Sequence, residues 1–147
     1  WRNFTMAKQL ISEVLKNTGK LKTKAERMEY LRKNNHPALR DVLRIAFDAD
    51  VVSMLPEGTP PFTRDDAPKG MEYQNLYRAH RRFKYFFKGP TAMGLKAIRR
   101  ESMFISLLES LHPEESEMLC LAKDKKLKIT GVTKKLVSDT FPNLITK

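Results

Sequence analysis

The sequence predicts an all-α fold, and three features support this prediction. Apolar residues recur every three to four positions in several segments, which is the periodicity of an amphipathic helix. Helix start signals open these segments, including the pair Thr23 and Glu26 and the prolines Pro37 and Pro113. Two short apolar runs, residues 51–55 and 127–130, would need partner strands that the sequence does not show. We therefore expect one domain, residues 1–147, of about six or seven short helices.

Three helices are predicted before residue 50. The first covers residues 3–17 and stops at Asn17-Thr18-Gly19, where glycine ends the apolar stripe. The second opens at the capping box of Thr23 and closes at Asn34-Asn35. Pro37 begins the third, residues 37–48, because proline suits the first position of a helix.

The middle of the chain is predicted to be a proline-rich loop. Residues 56–70 contain four of the eight prolines, which excludes a continuous helix or a central strand. The loop is either a linker between subdomains 1–55 and 71–147 or an extended arm that packs Phe62 on the surface.

Four further helices are expected after the loop: residues 71–88, residues 94–111, a helix that begins at Pro113, and residues 133–141. The segment 94–111 is the most apolar of them. The predicted buried residues are Leu43, Phe83, Leu107, Leu108 and Cys120.

Composition limits the possible functions. The net charge is +11, which favours nucleic acid, an anionic membrane or an acidic protein as partner. The apolar runs are shorter than the roughly 18 residues of a membrane-spanning helix, so we expect no membrane insertion. His36 and His112 precede helix-opening prolines and are interpreted as helix boundaries, and no His or Cys spacing fits zinc. We therefore expect no enzyme, no metal and no cofactor.

The segment 71–88 is the strongest functional signal. Residues 71–100 contain eight Lys or Arg and one acid, so a helix here would repel itself unless an anion neutralised it. On one α-helix its basic side would carry Arg78, Arg81, Arg82, Lys84, Tyr85 and Lys88. These residues predict contact with phosphates, and Tyr85 is expected to stack on an exposed base. The alternative is an ordinary solvated face.

Charge is also uneven after residue 100. Residues 101–122 hold five acids and no Lys or Arg, whereas residues 123–135 hold six lysines and one acid. Contacts with nucleic acid are therefore also expected at Arg99, Lys123, Lys125 and Lys126, away from the acidic helix. The alternative for these lysines is a helix end whose dipole favours cations.

The first third of the chain resembles the helical N-terminal domain of T-even phage ATP-dependent DNA ligases, which grips duplex DNA around the minor groove. The resemblance is carried by Leu10-Ile11-Ser12-Glu13-Val14-Leu15, Tyr30-Leu31-Arg32-Lys33-Asn34 and Ala38-Leu39-Arg40-Asp41-Val42-Leu43-Arg44-Ile45-Ala46-Phe47. It implies a DNA-gripping surface without the lysine nucleophile of ligases. The implied residues are Lys20, Lys22, Lys24, Arg40 and Arg44. The alternative is that the pattern reflects only the packing of three short helices.

Nearly the whole chain resembles a family of small uncharacterised proteins from T-even-like phages of marine bacteria. The residues that carry this resemblance include Leu55-Pro56-Glu57-Gly58-Thr59-Pro60-Pro61-Phe62, Arg100-Glu101-Ser102-Met103-Phe104-Ile105, His112-Pro113-Glu114 and Phe141-Pro142-Asn143-Leu144-Ile145. The resemblance implies a viral protein in the cytoplasm of an infected bacterium or in the virion.

Two functional hypotheses follow from the sequence. The first is a phage accessory protein that binds nucleic acid, DNA in preference to RNA, with little sequence specificity. The second is a virion or protein-binding component whose basic face docks on an acidic phage or host protein, with the acidic segment 109–117 helping self-association. The sequence does not predict the oligomeric state.

Overall fold

Helices form the regular secondary structure of the computed structural model, which describes residues 9–62 and 76–145. This confirms the all-α prediction. In the described residues the α-helices are α1 (Ile11–Lys20), α2 (Lys24–Lys33), α3 (Pro37–Phe47), α4 (Leu76–Ala79), α5 (Pro90–Met93), α6 (Ala97–Ser110), α7 (Pro113–Lys123) and α8 (Lys134–Thr140), and a 3₁₀ helix spans His80–Tyr85. The two short apolar runs contribute only isolated bridges, Ser53 with Phe87 and Ile129 with Val132.

The helix starts predicted at Thr23, Pro37 and Pro113 are found where the sequence placed them. Thr23 accepts a hydrogen bond from the Glu26 N–H, and the Glu26 side chain accepts from the Thr23 N–H, which completes the capping box. His36 and His112 each accept a hydrogen bond through Nδ1 from the second residue of the following helix. Both histidines are therefore N-caps, as their position before proline predicted.

The predicted end of the first helix is wrong. The helix α1 continues through Asn17 to Lys20, with Thr18 buried and its hydroxyl donating to the Val14 carbonyl at 2.8 Å. Gly19 is required for a different reason: a Cβ there would lie 1.8 Å from the Thr130 carbonyl oxygen. The glycine allows the chain after α7 to approach α1 closely. The predicted residues 3–8 lie outside the described part.

The helix α3 connects the two halves of the chain. It packs against α7 and also against α4 and the 3₁₀ helix, while α2 packs against α8. The Glu115 carboxylate on α7 accepts a hydrogen bond from the Ile11 N–H at 3.0 Å and thereby caps α1 across the core. Helices from both sides of the proline-rich loop thus share one hydrophobic core.

The prediction of one continuous helix over residues 71–88 is wrong. Regular α-helix ends at Ala79, and the chain continues as the 3₁₀ helix to Tyr85. Residues 86–88 then pair with residues 52–54 through hydrogen bonds from the Met54 N–H to the Phe86 carbonyl (2.9 Å) and from the Lys88 N–H to the Val52 carbonyl (2.7 Å). Because these backbone groups bond to another segment of the same chain, residues 86–88 cannot also form the i to i+4 hydrogen bonds of an α-helix. Residues 71–75 lie outside the described part.

The helix predicted over residues 94–111 begins later than expected. It starts at Ala97 as α6, and the short helix α5 precedes it. Residues 56–62 of the proline-rich loop are non-helical, as predicted, and Phe62 packs against the core. The remainder of that loop, residues 63–70, lies outside the described part.

We expect Leu108→Ala to lower the free energy of unfolding by about 2–5 kcal/mol, because Leu108 is fully buried on α6 and the truncation leaves a cavity. Urea unfolding followed by circular dichroism measures the change. The control is Ser106→Ala on the exposed side of the same helix, which should shift stability by less than about 0.5 kcal/mol. Equal effects of the two substitutions would contradict the packing of α6.

We expect the thiol of Cys120 to react slowly with thiol reagents in the native protein. Cys120 is 1% exposed, and burial raises the pKa of its thiol, so little thiolate is both present and accessible. Labelling with a chromogenic disulfide reagent should detect one thiol in denaturant and almost none, over the same interval, without it. Rapid native labelling would contradict this burial.

Candidate functional site

The candidate site is a groove of about 650 Å³ between α3, the 3₁₀ helix and the start of α5. We call it the basic groove. Its charged and titratable lining consists of Asp41, Arg44, Asp50, His80, Arg81, Lys84 and Lys88. Ile45, Val51, Phe83 and Phe87 contribute its apolar floor and walls. The groove thus combines four cations with two carboxylates over an apolar base.

The 3₁₀ geometry decides which cations enter the groove. With three residues per turn, side chains three positions apart lie above one another, so Arg81 and Lys84 share one side of this helix. Phe83 lies on another side and is buried in the core. Arg82 is exposed but lies outside the groove lining, which separates it from Arg81, although an α-helix had predicted one common face.

Tyr85 lies three residues after Arg82 on the 3₁₀ helix and is likewise outside the groove lining. It is half-buried, packs against the core, and has the Lys84 ammonium group 5.5 Å from its ring centroid. The Lys84 cation thus lies against the ring of Tyr85, the side chain that was predicted to stack on a nucleic-acid base.

The helix α3 supplies the opposite wall. Its polar stripe contains Arg40, Asp41 and Arg44, since its remaining positions are largely buried in the core. Arg44 and Asp41 line the groove, whereas Arg40 donates to the side chain of Asn35. The structure therefore brings Arg44, predicted from the ligase resemblance, next to Arg81, Lys84 and Lys88, predicted from the basic aromatic segment.

His80 and Asp41 form a pair at the wall of the groove. His80 Nδ1 lies 2.7 Å from Asp41 Oδ2, and the two side chains are 12% and 33% exposed. His36 contacts the His80 ring edge-on, with 5.9 Å between the centroids. No role was predicted for Asp41 or Asp50; the available signal for Asp41 was its place three residues before Arg44 on the polar stripe of α3.

Lys123, which was predicted to contact nucleic acid, is buried and hydrogen-bonded within the protein. Its side chain is 1% exposed, and Nζ donates to the carbonyls of Pro56 (3.0 Å) and Gly58 (2.9 Å) and to Asp124 Oδ1 (2.8 Å). Asp124 in turn accepts from the Gly58 N–H at 2.8 Å. Lys123 holds the proline-rich loop in place and does not reach solvent.

The two following lysines are also engaged within the protein. Lys125 donates to the carbonyls of Ile45 and Asp48 at the end of α3, and burial lowers the pKa of its ammonium group. Lys126 pairs with Glu57 of the loop, and this hydrogen bond raises the pKa of Lys126. The turn after α7 therefore docks on α3 and the loop through Lys123, Lys125 and Lys126.

The remaining predicted cations lie elsewhere on the surface. Lys20 and Lys22 are exposed at the connection of α1 and α2, and Lys24 pairs with Asp139 of α8. Arg78 and Arg99 are exposed outside the groove lining. The predicted binding residues thus fall into one group in the groove and several scattered ones.

The acidic segment 109–117 is not one continuous acidic surface. Glu115 is fully buried as the cap of α1, and Glu114 pairs with Lys16 at 3.3 Å. Two of the carboxylates that self-association would use are therefore engaged, one in the core and one in an ion pair.

Over residues 9–62 and 76–145, no cluster of three or more His, Cys, Asp or Glu side chains is arranged to hold a metal ion. None of the helices in these ranges combines the length and the apolar character needed to cross a bilayer.

A family of unknown function, DUF6433, matches residues 14–129, which include the whole lining of the basic groove and exclude α8. No match is found among curated proteins or among solved structures.

Proposed function

The chain belongs to the DUF6433 family of unknown function, and we propose that it binds nucleic acid non-enzymatically through the basic groove. The observation that carries the proposal is the convergence of four cations from distant parts of the chain. Arg44 comes from α3, whereas Arg81, Lys84 and Lys88 come from the segment after the proline-rich loop. Folding thus concentrates positive charge that the sequence had distributed over two regions.

The composition of the groove supports a phosphate backbone as the ligand. Four cations face two carboxylates, and one of these carboxylates, Asp41, is already paired with His80. Cations of this kind hold phosphates and read little base sequence. The groove therefore favours binding with low sequence specificity.

The resemblance to T-even-like phage proteins supports an infected bacterial cell as the setting. In that setting we propose DNA as the target, because Arg44 lies in the segment that resembles the DNA-gripping domain of phage ligases. Lys123, Lys125 and Lys126, which are engaged within the protein, have no part in this proposal.

We expect the double substitution Arg81→Glu and Lys84→Glu to weaken binding to all nucleic-acid sequences alike. Fluorescence anisotropy with labelled single-stranded DNA, duplex DNA and RNA at several salt concentrations measures the affinity. The slope of log K against log salt should fall by about one for each phosphate that the variant no longer neutralises. Both side chains are exposed, so the unfolding free energy should change by less than about 0.5 kcal/mol.

The matched control for this variant is Lys134→Glu with Lys135→Glu. It changes the net charge by the same amount at exposed positions of α8, outside the groove. Its effect on affinity should be clearly smaller. Equal effects would show that binding follows total charge, and no binding of the wild-type protein at low salt would overturn the proposal in favour of an acidic protein partner.

Asp50→Asn should strengthen binding, because it removes an exposed carboxylate from the groove lining. We expect an affinity gain of about two- to fivefold at low salt that shrinks as salt screens the groove. Glu29→Gln on α2, exposed and outside the groove, is the charge-matched control. An unchanged affinity of Asp50→Asn would show that the phosphates lie elsewhere.

A further inference from the structure

The junction of α5 and α6, residues 90–98, exposes two large apolar side chains. Met93 is 65% exposed and Ile98 is 83% exposed, the highest values among the large hydrophobic residues that the structure describes. We call this junction the apolar corner. Single exposed hydrophobic residues are ordinary, but two at one corner mark a contact surface when their surroundings fit a partner.

Hydrogen bonds from Arg100 brace the backbone of the apolar corner. Arg100, which is buried, donates through Nη2 to the carbonyl of Ala92 at 2.6 Å and to that of Leu95 at 2.9 Å. The Leu95 N–H also donates to the Ala92 carbonyl at 3.1 Å. This clamp fixes the turn between α5 and α6, so the two apolar side chains project from an ordered backbone.

The surroundings of the apolar corner are cationic. From residue 85 to residue 100 the sequence contains no Asp or Glu, and Lys88, Lys96 and Arg99 are exposed. The acid that follows, Glu101, lines a separate cavity beside Lys123. The apolar corner also adjoins the basic groove, because Pro90 and Thr91, the first residues of α5, are part of the groove lining.

We propose that Met93 and Ile98 contact the faces of unpaired bases in a single-stranded nucleic acid whose phosphates occupy the basic groove. This inference rests on the proposed function and adds a preference for single strands. Bases offer flat apolar faces beside an anionic backbone, which matches an apolar corner flanked by cations. In a duplex these faces are stacked on one another, and exposing them requires unstacking.

The test compares Ile98→Gln and Met93→Gln, combined in one variant, with the wild-type protein. The probe is a labelled oligodeoxynucleotide of about 16 nucleotides, used single-stranded or annealed to its complement. We expect the wild-type protein to prefer the single strand. The variant should bind the single strand at least about fivefold more weakly, with duplex affinity and salt slope unchanged.

Leu121→Gln is the matched control, since Leu121 is 43% exposed on α7 and lies outside the apolar corner. Its single-strand affinity should equal that of the wild-type protein. Unchanged thermal unfolding of all variants shows that weaker binding does not come from a failure to fold.

The outcomes separate this inference from the proposed function. The double substitution Arg81→Glu and Lys84→Glu tests the groove. If it reduces the salt slope while the Met93→Gln, Ile98→Gln variant binds single strands as the wild-type protein does, only the inference fails. If neither variant changes binding, the groove assignment fails as well. Binding to vesicles of anionic phosphatidylglycerol that requires Ile98, together with no preference for single strands, would overturn the inference in favour of a membrane surface.

Discussion

The architecture depends on the packing of α3 against α7, α4 and the 3₁₀ helix. Its buried residues contact α7 on one side and the segment 76–85 on another, so few of its positions remain for solvent. Those positions form a narrow polar stripe that contains Asp41 and Arg44 and faces the 3₁₀ helix across the groove. The same packing that closes the core therefore determines which charges oppose Arg81 and Lys84.

A second constraint fixes the far end of the groove. The backbone of residues 86–88 pairs with that of residues 52–54, which stops helical winding and directs Lys88 beside the groove. The turn after α7 is tied to the same region, since Lys125 donates to carbonyls at the end of α3 and Lys123 to the loop that follows residue 55. These partly buried polar contacts tie the turn after α7 to the end of α3 and to the proline-rich loop.

Features that depend on residues close together in the sequence could be predicted from the sequence alone. The capping box of Thr23, the helix starts at Pro37 and Pro113 and the burial of Leu108 follow from residues within one or two turns, and each is found as predicted. The basic groove could not be predicted from local signals, because contacts between segments distant in the sequence form it. Nothing near Lys123 shows that its ammonium group meets Pro56 and Gly58, because that contact spans more than 60 residues.

The change from α-helix to 3₁₀ helix at Ala79 has a consequence for how members of the family can diverge. Exchange of Arg81 or Lys84 between lysine and arginine keeps the charge of the groove. An insertion or deletion of one residue between His80 and Phe83 would instead rotate the side chains that follow it within the 3₁₀ helix by about 120°. Lys84 would leave the groove and Phe83 would leave the core, while the pairing of residues 86–88 holds the far end fixed. Relatives should therefore vary in composition along this segment while its length stays constant.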